Sequence, residues 1–165
     1  MIDRDSKELT VGAHENKMGF RLSNTTELIF DNVRVPVENR IGEGLHIALN
    51  ALNLSRAFIS TLGVGIMQRA LDEAMAYGAS AVPAAPHQIP DGSADADMAI
   101  KIEASRCLVN NTMKLMDAGH LVQKEGAITK TFVSDCMQEV TSNAVQIFGG
   151  YGYSKEYPIE KLMRN

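Results

Sequence analysis

Two hydrophobic periods divide this chain. Before Gly44 the apolar positions come in short alternating runs; after it they recur three or four residues apart. In Thr25–Pro36, TTELIFDNVRVP, Leu28 and Phe30 alternate with Glu27, Ile29 and Asp31. That pattern predicts a strand closed by Pro36, and a shorter strand is predicted near Leu9–Val11. Two short strands do not make a stable sheet alone, so residues 1–43 read as the tail end of a β domain.

From Gly44, Leu45, Leu49, Leu52, Ile59, Leu62, Ile66, Ala70 and Ala74 form one apolar stripe, predicting a helix of about eight or nine turns. A second helix is predicted from about Ala94 to Ala118, with Met98, Ile102, Ser105, Val109, Thr112 and Met116 as a bundle seam and Gly119 as its stop. A third runs from about Gln123 to Phe148, with Ile128, Phe132, Cys136, Val140, Ala144 and Phe148 four apart. Pro158 opens a short helix over PIEKLMR. The fold class is therefore mainly α: an incomplete up-and-down four-helix bundle with three long helices, preceded by a short β remnant. Its helical domain is residues 44–165. Three long helices leave an apolar face open, which predicts a chain incomplete at both ends or in need of partners to cover that face.

Two features interrupt the pattern. Gly63 and Gly65 lie inside the first helix, where glycine is costly, and predict a close helix crossing or a ligand passing nearby. Between the first two helices, Gly78–Asp95 carries Pro83, Pro86 and Pro90, which exclude helix there. His87 in that stretch reads as a solvated side chain.

Composition narrows the function classes. Hydrophobic residues at 45% and charged residues at 22% belong to a globular domain of 165 residues. A net charge of −4 and a pI near 5.5 argue against a general nucleic-acid binder. No apolar run approaches the ~18 residues of a membrane span, and no signal peptide precedes the first polar segment. Cys107 and Cys136 lack metal-ligand spacing and read as buried free thiols of a reducing compartment. The four histidines are scattered, and no P-loop, nucleophile elbow or dinucleotide-binding glycine fingerprint is present.

Two stretches carry candidate chemistry. In NAVQIFGGYGYSKEYP, Asn143–Pro158, Gly149–Gly150 are a helix stop, or else Gly150 and Gly152 let the backbone approach a phosphate or sugar, with Gln146 one turn earlier offering an amide. In NALNLSRA, Arg56 interrupts the stripe, either as a snorkelling charge or as an anion or carbonyl clamp. Asn53 and Ser55 beside it are short polar groups, unfavourable in a helix interior unless put to use.

At these residues the chain resembles the acyl-CoA dehydrogenase family. ENKMGFRLSNTTELIFDNVRVPVENRIGEG is similar to the end of that family's middle β domain and the linker that follows. ALNLSR, ADMAIKIEASR and AVQIFGGYGYSKEYPIEKLMRN are similar, in order, to segments of its C-terminal helical domain. The matches cover nearly the whole chain except Gly78–Asp95. The resemblance implies α,β-dehydrogenation of a fatty acyl-CoA, with a carboxylate taking the α-proton and FAD accepting the β-hydride. Electrons then pass to an electron-transfer flavoprotein. Gln146, Ile147, Phe148, Gly149 and Gly150 would contact FAD held mainly by a neighbouring subunit, so a homodimer or tetramer is implied. Asn53, Leu54, Ser55 and Arg56 would contact the acyl-CoA thioester. The implied location is cytoplasmic, or the mitochondrial matrix in a eukaryote.

The departures from the family pattern matter as much. Many relatives have Asp where this chain has Asn53. Most place the catalytic glutamate in a YEGT segment beyond the counterpart of Asn165, and some branched-chain relatives place it at the position of Ser55. The resemblance thus supplies no general base, and it predicts a fragment inactive alone. Gly78–Asp95 stands where relatives carry flavin-contacting residues; it is either a pair of compensating frame shifts or a loop replacement. A non-catalytic helical interaction module, and a flavin-dependent oxidase or monooxygenase of the same fold, are the alternative readings.

Overall fold

The computed structural model describes residues 1–42, 44–81 and 93–165. They fall into two compact units, Met1–Ala48 with Asn165, and Leu49–Arg164. The first holds β1 (Leu9–Val11) and β2 (Leu28–Phe30), paired antiparallel with Leu9 opposite Phe30 and Val11 opposite Leu28. Hydrogen bonds from Gly12 N–H to the Glu27 carbonyl (3.0 Å) and from Glu15 N–H to the Thr25 carbonyl (2.9 Å) carry the pairing past the strand ends. The strand expected over Thr25–Pro36 is cut to three residues. Asn32 adopts a left-handed φ of 53°, which turns the chain out of the extended path. Leu28, Ile29 and Phe30 are all exposed, so the alternation does not mark a buried face within this unit.

The helices are α1 (Leu45–Ala81), α2 (Ser93–Asp117), α3 (Gln123–Phe148) and α4 (Ile159–Arg164). Among the buried positions on α1, Ala57, Ser60, Val64, Met67, Leu71 and Ala74 alternate three and four apart. This is a bundle seam, but it is not the stripe expected from the sequence. Ile66, Ala70 and Ala74 do turn inward, whereas Leu45, Leu49, Leu52, Ile59 and Leu62 are exposed. The helix is apolar on two adjacent faces, so periodicity alone did not choose between them. Its ten or so turns (37 residues) also exceed the expected length.

The α2 seam is as expected through Thr112: Met98, Ile102, Ser105, Val109 and Thr112 are buried, while Met116, its expected last member, is half-buried. Gly119, at φ 80°, ends the helix in a Schellman motif, with its N–H on the Met116 carbonyl and that of His120 on the Leu115 carbonyl. On α3 the buried positions are Gly126, Thr129, Val133, Cys136, Val140, Thr141, Ala144, Ile147 and Phe148. Ile128 and Phe132, expected in the core, are exposed. A strict four-residue step drifts about 40° around the helix each time, so the expected row leaves the core as it runs back toward the N-terminus.

Polar links cross the seams. Thr112 and Thr129 share a buried hydroxyl–hydroxyl bond of 2.8 Å, Lys101 pairs with Glu139 at 3.0 Å, and Arg106 donates to Gln68 Oε1 at 2.8 Å. Glu139 holds the Lys101 ammonium above its usual pKa. Of the two glycines inside α1, Gly63 marks a close crossing: a Cβ there would stand 2.9 Å from Val133 Cγ1, while one on Gly65 would meet nothing within 4 Å.

Three expectations need adjustment. Both cysteines are free, but Cys107 is exposed and only Cys136 is buried. Helix reaches into both ends of Gly78–Asp95, as far as Ala81 and again from Ser93; Pro83 and its neighbours, with His87, lie outside the described residues. Finally, α1 is long and apolar enough, by length and composition alone, to cross a membrane. Alanines and glycines keep its average high even though Asn53, Ser55 and Ser60 break any uninterrupted run. The basis for placing α1 in a bundle is its buried Ala57–Ala74 seam, since composition does not separate the two cases.

Candidate substrate and cofactor surfaces

Asn53–Arg56 lies on α1 against the first turns of α3. The fit is close because Gly126 has no side chain: a Cβ there would stand 3.2 Å from the Asn53 carbonyl oxygen and 3.8 Å from Arg56 Cβ. Arg56 does not wander. Its Nη1 donates to Asn53 Oδ1 at 2.8 Å, one helical turn back, which holds the guanidinium beside the helix surface. Ser55 spends its hydroxyl on the Leu52 carbonyl, at 2.9 Å. Leu54 is exposed. Arg56 and Ser55, with Leu52, Phe58, Ile59, Leu62 and Lys130, line an open groove of about 570 Å³. Its lining is mostly apolar and includes two cations, Arg56 and Lys130, and among the described lining residues there is no carboxylate. Such a groove suits an amphiphile with an aliphatic part and a polar or anionic head.

The second stretch ends α3. Ile147 and Phe148 send their side chains into the core; Phe148 is 2% exposed. Gln146 and the backbone of Gly149–Gly150 face outward. Gly149 has φ 57° and ψ −130°, a conformation open to glycine almost alone, and its N–H returns to the Gln146 carbonyl. A Cβ on Gly150 would meet nothing within 4 Å, so that backbone lies bare. Gly152 is the opposite: a Cβ there would strike the Val145 backbone.

The two stretches are not brought together. Asn53–Arg56 flanks Gly126, and twenty residues of α3 separate Gly126 from Gln146, about 30 Å along the helix. They form two surfaces, one at each end of α3.

The family model for the C-terminal domain of acyl-CoA dehydrogenases matches residues 42–165. This chain belongs to the acyl-CoA dehydrogenase family. It is 41% identical, over its whole length, to an acyl-CoA dehydrogenase of Bacillus subtilis, covering 45% of that protein. It is 38% identical, again over its whole length, to the caffeyl-CoA reductase–Etf complex subunit CarC of Acetobacterium woodii, covering 45% of it. Butyryl-CoA dehydrogenase from Megasphaera elsdenii superposes with a TM-score of 0.86 at 35% identity, over 99% of this chain and 44% of that one. The chain thus spans just under half the length of the relatives it matches.

An acyl-CoA dehydrogenase uses FAD, and the α3 end fits such a group in one respect: bare, outward backbone at Gly149–Gly150 admits a flat ring edge that a Cβ would hold away. Sequence reasoning passed over Gly126, Tyr77 and Tyr157, and it read Gly152 as ligand-facing backbone, whereas Gly152 is buried against the Val145 backbone. The reason for Gly126 lies on α1, 70 residues away. Tyr77 and Tyr157 pack on Phe148, and their only trace in the sequence is an aromatic near the end of one predicted helix and before the start of another.

Proposed function

We propose that this chain is the helical-domain part of an FAD-dependent acyl-CoA dehydrogenase that introduces an α,β double bond into a fatty acyl-CoA thioester. The observation that carries this reading is Arg56, bonded to Asn53 and lining an apolar groove, in a chain of this family. The groove accepts the acyl chain against Leu52, Phe58, Ile59 and Leu62, and Arg56 steadies the polar thioester end by directed hydrogen bonds. Leu54 and Ser55 flank that contact. FAD, when bound, supplies hydride acceptance. Gln146 and the backbone of Ile147–Gly150 meet it from a neighbouring subunit, so the working enzyme is a homodimer or tetramer. The 30 Å between the two surfaces supports that division, since one thioester and one flavin must touch each other. Among the described residues no carboxylate lines the groove, so the α-proton acceptor comes from elsewhere and this chain alone is inactive. An electron-transfer flavoprotein is the acceptor, and the cytoplasm or mitochondrial matrix the setting.

The test is a chimera in which this chain replaces the segment of the Bacillus subtilis relative it aligns with. Expected is a yellow protein whose flavin absorbance bleaches on adding a fatty acyl-CoA. A folded but colourless chimera would turn the reading toward a non-catalytic interaction module. A yellow chimera that thioesters do not bleach would turn it toward an oxidase or monooxygenase.

A further inference from the structure

Four aromatic rings surround the bend after α3. Tyr77, in the last turns of α1, stacks on Phe148 with centroids 4.1 Å apart and planes at 18°. Tyr157 meets both rings edge-on, at 5.8 Å from Tyr77 and 5.2 Å from Phe148, and Tyr151 meets Tyr157 at 5.7 Å. Phe148 immediately precedes Gly149, and Tyr157 closes the loop just before Pro158. Phe148 is anchored in the core at the end of α3, and Tyr151 and Tyr157 follow it in one continuous stretch. Tyr77 is the ring contributed by another helix.

We infer that Tyr77 is a positioning residue: through Phe148 it clamps the Gly149–Gly152 backbone in the one orientation that presents Gly149–Gly150 outward. The need for a clamp is local. Glycines confer no preferred backbone conformation, and the turn holds itself by few bonds, Gly149 N–H to the Gln146 carbonyl and Gly152 N–H to the Gly149 carbonyl at 3.0 Å. A Cβ on Gly150 would meet nothing within 4 Å, so no packing on that side restrains it. A flat ring stacked on the residue before the bend limits rotation of Phe148 and so the direction in which the chain leaves α3. That the presented backbone serves FAD rests on the function proposed above; the clamp itself does not.

The test uses the full 165-residue chain and hydrogen exchange at single amides. Tyr77→Phe keeps the stacked ring and is expected to exchange like the parent. Tyr77→Ala is expected to speed exchange at Gly149–Gly152 by about three- to tenfold, the size of a lost aromatic pair, while amides in the α2–α3 seam, such as Val109 and Val140, keep their rates. Unchanged rates in the bend, or a uniform rise throughout the bundle, would overturn the clamp. The chimera supplies the second arm. FAD affinity lowered by Tyr77→Ala and restored by Tyr77→Phe supports both claims. If the bend loosens while FAD affinity is untouched, the clamp stands and the flavin-facing reading of the bend fails.

Discussion

A Cβ on Gly152 would stand 3.1 Å from both the carbonyl carbon and the Cα of Val145, and closer still to its oxygen. The neighbour is helix backbone and has little freedom to yield. Gly152→Ala is therefore expected to lower stability by about 2 kcal/mol or more, read as a fall in the thermal midpoint. Gly149→Ala is expected to cost about 1–3 kcal/mol for a different reason, the positive φ of 57°. Gly150→Ala meets open space and should change stability by less than about 0.5 kcal/mol, yet lower flavin retention in the chimera. Three glycines within four residues thus separate into packing, backbone and ligand roles. Equal midpoints for the alanine variants at 150 and 152 would refute that separation.

The Asn53–Arg56 bond makes a prediction of opposite sign. Asn53→Asp places a carboxylate three residues before Arg56, the favourable order on a helix, and should stabilise the chain by about 0.2–0.5 kcal/mol. Arg56→Ala should leave the midpoint nearly unchanged, because the groove is open, while weakening acyl-CoA binding by the chimera at least tenfold. Arg56→Lys should recover little, since an ammonium cannot reproduce the guanidinium fork. Binding unaltered in Arg56→Ala would remove Arg56 from the substrate contact.

How much of this was legible in the sequence follows from which interactions are local. The α2 seam, Met98 to Thr112, and the stop at Gly119 were readable because each depends on residues a turn apart. Pro158 at the mouth of α4 is of the same kind. The α1 stripe was misassigned because two adjacent faces are apolar, and only the partner helix decides which is covered. Ile128 and Phe132 were misplaced by a spacing that drifts off the α3 core line. At the candidate surfaces, Arg56 and Gly149–Gly150 stood out as breaks in a pattern. Gly126, a glycine inside a helix like Gly63, was a readable break that went unused, whereas Tyr77 breaks no pattern and its role exists only where α1 meets the bend beyond α3.

Ser105 on α2 is buried, and its hydroxyl has no conventional hydrogen-bond partner among the described residues. It lies beside Cys136, whose thiol pKa is pushed up by burial, with the Ser105 hydroxyl pulling the other way. The Cys136 thiol is a weak partner for a buried hydroxyl, so Ser105→Ala should change stability by less than about 1 kcal/mol. The thiol adds a pH dependence. Its folded pKa lies above the unfolded value, so its contribution is complete below that value and is lost as pH rises through the alkaline range. Chemical unfolding at about pH 7 and about pH 10 checks both points: the midpoint should fall at the higher pH, and Cys136→Ser should reduce the fall. In the native chain at about pH 8 a thiol reagent should label exposed Cys107 quickly and Cys136 only after denaturant is added.

The open α1 face sets the last prediction. Leu52, Phe58, Ile59 and Leu62 are all exposed, and Phe58 and Leu62 also border a second groove with Ile66, Met113 and Leu162. A contiguous apolar surface of this kind drives association when nothing covers it. None of the four residues belongs to the buried Ala57–Ala74 seam, so replacing them should not cost core packing. The double variant Phe58→Ser, Leu62→Ser should therefore keep its stability within about 1 kcal/mol of the parent's. Over the same substitutions, the protein's association measured by sedimentation should fall, and binding of an apolar dye should weaken. Should the double variant instead unfold, Phe58 and Leu62 belong to the core and the α1 seam is wider than Ala57–Ala74.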